Sequence, residues 1–462
     1  MGNLMRGLLT AAFTIYIINR LSVFDFGVYS TIVAFSTITA VMVNFGLNTY
    51  LSREAGKDIS LYKPILKVIT SVRLLLFVAS ETFLVGILRV LGFSWHITIL
   101  AIIFSFDPLF TMLLESLYTL FYIKGEGKVV ATAEVFRKVL LLVMVAVVVF
   151  YGIEAVILVY ILSDVVIFGF VYFNHLRVVG KLPEGSLQIS AFKILRESLP
   201  FSFRILTALI FWNTDTMMVS KMLGVVPVGV YNVAASFFKA LSFAPQAFSS
   251  ILFPKISLAH SKGNLKAIRP MITESAKILL AFGILVVFYS KTSLGYYIVE
   301  LFGKRYEESV KLLAPMSLMV LFYFPASLGQ SILMAIGREV KAVYALIAAL
   351  LSNFTLNLIL IPIFGLFGAV YATVTSQAVL LAFTIFYLRD QMKEIVDVEL
   401  VKGVAYALLS FGTVAVIVEK LNPIIGGYMA DNLYALPLIL FHFTGYVKRD
   451  KFSIKEWMKV KM

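Results

Sequence analysis

Long apolar stretches separated by short polar connections run along the whole chain. Each stretch is long enough to cross the hydrocarbon core of a bilayer, which takes about 20 residues of helix. The candidate spans lie near 3–21, 26–50, 65–88, 96–121, 129–150, 153–176, 199–221, 228–252, 271–290, 309–335, 340–361, 366–388, 402–419 and 425–446. The pattern predicts an all-α polytopic membrane protein with about 14 transmembrane helices.

Two phrases recur at matching places in the span order. LSVFDFGVYS at Leu21–Ser30 lies between the first two spans, and LGVVPVGVYN at Leu223–Asn232 lies between the seventh and eighth. A second pair, FYGIEAV from Phe150 and IFGLFGAV from Ile363, also falls in corresponding connections. Six spans separate the copies, and because six is even, both copies point the same way across the membrane. We therefore predict two parallel repeats related by an axis along the membrane normal.

The repeat defines a domain organisation. An N-terminal six-helix lobe is expected at 1–178, a cytoplasmic linker at 179–198 and a C-terminal six-helix lobe at 199–390. Two extra helices and a basic cytoplasmic tail complete the chain at 391–462. Gly27 and Gly229 occupy the same place in the repeated phrase, and we expect each to form a tight bend outside the membrane.

Composition and charge agree with a membrane protein. The chain is 60% hydrophobic and only 14% charged, with a mean hydropathy of +0.93, whereas soluble domains are about 25% charged. Lysine and arginine concentrate in alternate connections and in the C-terminal tail, which marks the cytoplasmic side. This bias explains the net charge of +14 without a nucleic-acid partner. It predicts a multi-pass protein of the plasma membrane with both termini in the cytoplasm.

Ionisable residues inside the predicted spans are the candidate functional residues. A charge at the centre of a span costs about 2.5–3.5 kcal/mol on insertion scales, so such residues face a cavity or a partner. The candidates are Arg6, Arg20, Arg73, Glu81, Asp107, Glu115, Asp164, Arg204, Asp215 and Lys239.

We expect the five basic candidates to form one cationic cavity between the lobes, which would favour an anion such as a phosphate. Alternatives remain open for each of them. Arg6, Arg20 and Arg204 lie close enough to span ends to reach the interface. Arg73 has Glu81 two turns away as a partner. Lys239, which precedes a kink expected at Pro245, has Asp215 or Asp164.

The five acidic candidates have two open interpretations. Asp107, Glu115, Asp164, Asp215 and Glu81 could bind Na⁺ or H⁺ as a coupling ion, or could neutralise basic neighbours inside the protein.

Three segments resemble the polysaccharide and oligosaccharide-lipid flippases of the multidrug/oligosaccharidyl-lipid/polysaccharide exporter superfamily. They are LSVFDFGVYS with NFGLNTYLSRE, LPFSFRILTALIFWNTDTMMVSKMLGVVPVGVYNVAASF, and NFTLNLILIPIFGLFGAVYAT. The resemblance implies two six-helix lobes around a cationic cavity and alternating access. It implies transport of a polyprenyl-(pyro)phosphate-linked glycan to the outer leaflet, alongside glycosyltransferases of the same pathway. Arg20, Arg53 and Lys239 match the family's cavity cations in kind.

Signatures of enzymes are missing from the sequence. It has no Walker loop or HExxH motif, no cysteine, and four histidines without metal-ligand spacing. We therefore expect no catalytic residues, no metal and no cofactor beyond a coupling ion. The alternatives are a drug/cation antiporter of the same superfamily, a membrane glycosyltransferase or glycan polymerase, and a channel. An antiporter would need a cavity dominated by carboxylates, and a polymerase would usually need a large outer loop.

Overall fold

The computed structural model describes residues 2–180, 182 and 190–395, and these residues form sixteen α-helices without any β-strand. The helices of the first half are α1 (Gly2–Arg20), α2 (Val23–Asn44), α3 (Leu47–Lys57), α4 (Tyr62–Val90), α5 (Trp95–Phe104), α6 (Phe106–Ile123), α7 (Gly127–Val148) and α8 (Ile153–Val179). Those of the second half are α9 (Ala191–Met222), α10 (Val225–Ala240), α11 (Phe243–Ser261), α12 (Arg269–Thr292), α13 (Leu294–Phe302), α14 (Glu307–Ala335), α15 (Glu339–Phe364) and α16 (Leu366–Ile395).

These helices account for the first twelve predicted spans, in order. Within the described residues, nine helical segments are long and apolar enough by themselves to cross a membrane. Helix α7 is not among them because Glu134, Arg137 and Lys138 fall within its apolar sequence. The all-α membrane fold predicted from the sequence is confirmed. The spans predicted at 402–419 and 425–446, with the basic tail, lie outside the described residues.

The second span of each half is a broken helix. In the first half, α2 ends at Phe45 and Gly46, both with left-handed backbone (φ 36° and 69°), before α3 begins. In the second half, the span Val225–Ser261 is interrupted by a turn at Leu241 and Ser242 between α10 and α11. The kink expected near Pro245 is therefore confirmed. Pro245 lies in the first turn of α11, where a missing backbone N–H removes no helical hydrogen bond.

The chain divides into two compact units, Met1–Asn232 and Val233–Met462. The first unit contains α9, because this helix packs against α2, α3 and α4. Its core beside α3 is filled by fully buried apolar side chains such as Leu51, Ile65 and Leu120. The lobes predicted from the repeat have their boundary in the linker before α9, and that division stays a prediction.

The repeated phrase forms a reciprocal helix contact inside the first unit. A Cβ atom added to Gly27 would meet the carbonyl oxygen of Val225, and one added to Gly229 would meet the carbonyl oxygen of Val23. Val23 and Val225 are themselves equivalent positions in the repeat. Equivalent residues therefore contact each other's backbone, as expected for copies related by a two-fold axis. This arrangement supports the parallel duplication.

The expected role of Gly27 and Gly229 as bend glycines is wrong. Both lie inside helices, in α2 and α10, and neither has a positive φ. The bend before α10 is made by Gly224, whose φ is 96°. The bend before α2 has no glycine, and the Ser22 side chain caps the helix by accepting a hydrogen bond from the backbone N–H of Asp25 at 3.0 Å. The two glycines serve close approach of two backbones instead.

A valine at Gly27 or Gly229 should force these helices apart. Overpacking of a tight contact costs about 1–3 kcal/mol, so we expect Gly27→Val and Gly229→Val each to lower the apparent melting temperature of the purified protein. Gly86→Val is the matched control, since Gly86 is also helical and has no neighbouring heavy atom within 4 Å of an added Cβ. Equal melting temperatures for Gly27→Val and Gly86→Val would contradict the contact.

Candidate functional site

Arg73 is completely buried within the first unit. Its Nε donates to the carbonyl oxygen of Val43 at 3.1 Å, and its Nη2 donates to Asn48 Oδ1 at 2.8 Å. Its Nη1 donates to the carbonyl oxygen of Met112 at 2.9 Å and to Ser116 Oγ at 2.7 Å. All three guanidinium nitrogens are engaged by neutral acceptors, and the side chain is 0% exposed. The expectation that Arg73 faces a cavity is therefore wrong, because protein groups surround the guanidinium.

Glu81 is held by α2 and not by Arg73. Thr39 donates its hydroxyl proton to Glu81 Oε1 at 2.9 Å. The suggested Arg73–Glu81 pair does not form in this structure, because Arg73 is satisfied by acceptors on other helices.

Asp107 and Asp164 are brought together by an arginine that the sequence analysis did not select. Arg137 donates from Nε to Asp164 Oδ1 at 2.8 Å and from Nη2 to Asp107 Oδ1 at 2.8 Å. Nη2 also donates to Thr111 Oγ1 at 2.8 Å. Arg137 is 6% exposed and Asp164 is 0% exposed, so the pair lies inside the first unit. Of the two interpretations of these carboxylates, this geometry supports neutralisation by a basic neighbour.

Three helices build this ionic centre. Asp107 lies in the first turn of α6, where the helix N-terminus favours a carboxylate. Asp164 comes from the middle of α8, and Arg137 comes from α7, which packs against both. The sequence did contain a signal for Arg137, since the run EVFRK falls inside the span predicted at 129–150. A search for charged residues inside every predicted span would have selected Arg137.

Asp215 is tied to the start of α10. The hydroxyl of Tyr231 donates to Asp215 Oδ2 at 3.1 Å, and Thr216 donates to Asn232 Oδ1 at 3.1 Å. Both bonds join the end of α9 to the first turns of α10, directly after the repeated glycine. Asp215 is 8% exposed and thus belongs to a buried polar contact of the first unit.

The remaining basic candidates lie in different settings. Arg20 is exposed at the end of α1, with its guanidinium 5.6 Å from the ring centres of Tyr16 and Phe150; this fits a side chain reaching the interface. The side chains of Arg6 and Arg204, in α1 and α9, lie outside the described residues. A shared cavity for these cations stays a prediction.

Lys239 lies in the last turn of α10, in the second unit, directly before the break at Leu241 and Ser242. The C-terminal end of a helix presents carbonyl groups that favour a cation. The helix break therefore supplies part of the stabilisation that an ammonium group needs near the middle of a span.

Glu115 differs from the other acidic candidates because its side chain is exposed. Asn48 donates from Nδ2 to Glu115 Oε2 at 3.0 Å. Since the oxygen of the same amide accepts from Arg73, Asn48 links the buried cation to the exposed carboxylate.

Comparison with known families agrees with the resemblance found in the sequence. The model of a family described as polysaccharide biosynthesis protein matches residues 1–260, more than half of the chain. The chain belongs to this family. A second family model, MatE, matches residues 200–359. No curated protein matches the chain in sequence.

Solved structures share the fold of this polysaccharide biosynthesis family member. The lipid II flippase MurJ in an inward closed conformation gives a TM-score of 0.67 at 16% identity, covering 96% of this chain and 99% of that chain. An inward-facing multidrug resistance MATE family transporter gives 0.65 at 13% identity, covering 84% and 95%. A MOP superfamily transporter from Pyrococcus furiosus, described as having a binding pocket of reverse polarity, gives 0.50 at 15%, covering 85% and 92%. These likenesses show that the chain has the same fold, and the family model that matches residues 1–260 confirms the resemblance to polysaccharide biosynthesis proteins.

Removing the positive charge of Arg137 should destabilise the first unit strongly. Breaking a buried ion pair by removing one partner costs about 3–5 kcal/mol, because an uncompensated charge stays buried. We expect Arg137→Gln to lower the apparent melting temperature, and Asp164→Asn in the same chain to restore part of the loss. Arg177→Gln, which removes an exposed arginine near the end of α8, is the control. An Arg137→Gln protein as stable as this control would refute the ionic centre.

Proposed function

We propose that the protein is an alternating-access flippase. It moves a polyprenyl-(pyro)phosphate-linked oligosaccharide or polysaccharide precursor from the cytoplasmic to the outer leaflet of the plasma membrane. Membership of the polysaccharide biosynthesis family supports a substrate from glycan assembly. The shared fold with the lipid II flippase MurJ supports a lipid-linked substrate. Glycosyltransferases of the same pathway supply that substrate.

The observation that carries the proposal is the occupation of Asp107 and Asp164 by Arg137. An exporter of cationic drugs needs membrane carboxylates that are available to a cation. In the first unit the single guanidinium of Arg137 binds two of the five acidic candidates through hydrogen bonds of 2.8 Å, so it offsets the charge of one carboxylate and occupies both. Occupation by a protein cation makes these two carboxylates unsuitable as the binding site of a cationic drug.

Lys239 is the residue that we assign to the lipid phosphate. Its ammonium group belongs to the last turn of α10, beside a helix break within the span Val225–Ser261. A lysine near the middle of a span is retained only where a carboxylate or a ligand anion offsets its desolvation. Phosphate is a suitable ligand for lysine, which binds it as a point charge.

The driving force is assigned to a coupling ion, Na⁺ or H⁺. Arg137 engages Asp107 and Asp164, so the acidic candidates left for coupling are Glu81, Glu115 and Asp215.

Lys239→Ala should reduce flipping by about tenfold or more, since a hydrogen bond to a charged group contributes about 1.5–3 kcal/mol. The measurement uses proteoliposomes that contain a polyprenyl pyrophosphate carrying N-acetylglucosamine, and follows the accessibility of the sugar to a lectin outside. Lys239→Arg should keep part of the activity, because charge persists while geometry changes. Lys262→Ala, an exposed lysine after α11, should flip like the wild type.

Two results would overturn these assignments. Recovery of flipping in a Lys239→Ala, Asp215→Ala double variant would make Lys239 a scaffold residue that neutralises Asp215. Ion-driven export of a cationic dye, without any flipping of the glycolipid by the wild type, would favour the drug/cation antiporter.

A further inference from the structure

A strip of polar side chains runs along the facing surfaces of α3 and α6. Asn48 and Ser52 are one turn apart on α3, and Glu115 and Thr119 are one turn apart on α6. Asn48 Nδ2 donates to Glu115 Oε2 at 3.0 Å, and the hydroxyl oxygens of Ser52 and Thr119 are 3.3 Å apart. We call these four residues the polar strip.

The polar strip lies within the membrane-spanning part of the first unit. Glu115 precedes the end of α6 at Ile123 by eight residues, or about 12 Å along the helix axis. Its side chain is exposed, as is that of Ser52. An acidic residue at the centre of a span costs about 2.5–3.5 kcal/mol on insertion scales when it is placed in lipid. We therefore infer that the exposed side of the strip faces water.

The other exposed surfaces of this unit have a different character. On α4, Leu75 and Val78 are 72% and 63% exposed, and on α7, Val143 and Val147 are 57% and 66% exposed. The apolar surfaces of α4 and α7 therefore suit contact with lipid, whereas the polar strip suits contact with a hydrated solute.

Buried side chains in the interior of the unit donate hydrogen bonds to the polar strip and fix its orientation. Asn48 Oδ1 accepts from Arg73 Nη2 at 2.8 Å and from Ser116 Oγ at 2.6 Å. With its carbonyl oxygen engaged on the inner side, the amide can present only its NH₂ group to Glu115. Arg73 thus fixes the orientation of Asn48, and Asn48 fixes the carboxylate. This role accounts for the burial of Arg73, whose hydrogen-bond acceptors among the described residues are all neutral groups.

The chemistry of the strip matches a neutral molecule with several hydroxyl groups. It offers carboxylate, amide and hydroxyl groups side by side, so donors and acceptors alternate over two helical turns. Arg53, exposed next to Ser52, is paired with Glu197 at 3.0 Å. The positive charge of Arg53 is therefore engaged, and Glu115 leaves the strip with a carboxylate, which disfavours an anion and is a strong acceptor for hydroxyl groups. Sugar hydroxyls, each a donor and an acceptor, fit this mixture.

We propose that the polar strip binds sugar residues of the lipid-linked glycan, with Glu115 and Ser52 as contact residues and Asn48 and Arg73 as positioning residues. This inference rests on the proposed function and adds a sugar subsite to it. The subsite separates recognition of the glycan, in the first unit, from recognition of the phosphate, which we assign to Lys239.

The test is the affinity gained when one sugar is added to the lipid. Two probes, a polyprenyl pyrophosphate and the same lipid carrying one N-acetylglucosamine, are titrated into the purified full-length protein. We expect the wild type to bind the sugar-bearing probe about tenfold more tightly, as one or two additional hydrogen bonds would give. Glu115→Ala should remove most of this ratio and leave the affinity for the sugar-free probe unchanged.

Matched variants keep the test decisive. Ser52→Ala should reduce the ratio by about threefold, and Glu300→Gln, an exposed glutamate on α13, should leave it unchanged. If Glu115→Ala does not purify as a folded protein, Glu115→Gln preserves the shape and lacks the charge. Its ratio should also fall, because a charged acceptor binds a hydroxyl more strongly than a neutral one.

The outcomes distinguish this inference from the proposed function. A wild type that binds both probes equally, or a Glu115→Ala protein that keeps the full ratio, overturns the sugar subsite and leaves the flippase proposal intact. A wild type that binds neither probe contradicts the flippase proposal itself. A ratio that falls equally in Glu115→Ala and Glu300→Gln shows an unspecific charge effect and also overturns the subsite.

Discussion

The need to give each charged group inside the membrane hydrogen-bond or ionic partners is the constraint on which the first unit depends. Arg137 binds Asp107 and Asp164, and Arg73 is enclosed by neutral acceptors on three helices. An ionised group in hydrocarbon without such partners would cost several kcal/mol. Each bond also joins two helices, so the groups that satisfy the charges hold α4, α6, α7 and α8 in register. The bonds that satisfy the buried charges are therefore also contacts that pack these helices together.

This constraint also limits where a substrate can bind. Arg73 and Arg137 are enclosed by acceptors of the protein, and Asp107 and Asp164 are bound to Arg137, so these groups are already engaged inside the first unit. The exposed groups of the polar strip, Glu115 and Ser52, remain to offer hydrogen bonds to a ligand. A flippase of a lipid-linked glycan needs both kinds of recognition, since its substrate has a charged phosphate and a neutral sugar. We infer that the two kinds are supplied by different helices, α3 with α6 for the sugar and α10 for the phosphate.

Much of the fold followed from the sequence, whereas most of the polar partners did not. Apolar length predicted the spans, and the repeated phrase indicated the duplication, because both are local properties of the chain. The predicted partner of Arg73 was wrong. The prediction considered only Glu81, two turns away on the same helix, whereas the acceptor Asn48 lies on α3. Gly27 and Gly229 were misread for a similar reason. Glycine permits both a bend and a close helix contact, and only the tertiary structure distinguishes them.

The central claim is that the protein recognises an anionic, phosphate-bearing lipid. Its most direct test is a competition between two fluorescent ligands with the same prenyl chain, one ending in pyrophosphate and the other in an ammonium group. Our account predicts that the purified protein binds the pyrophosphate at least about tenfold more tightly, a difference of about 1.4 kcal/mol, and that added salt reduces the preference by screening. Equal binding, or tighter binding of the ammonium ligand, would contradict it.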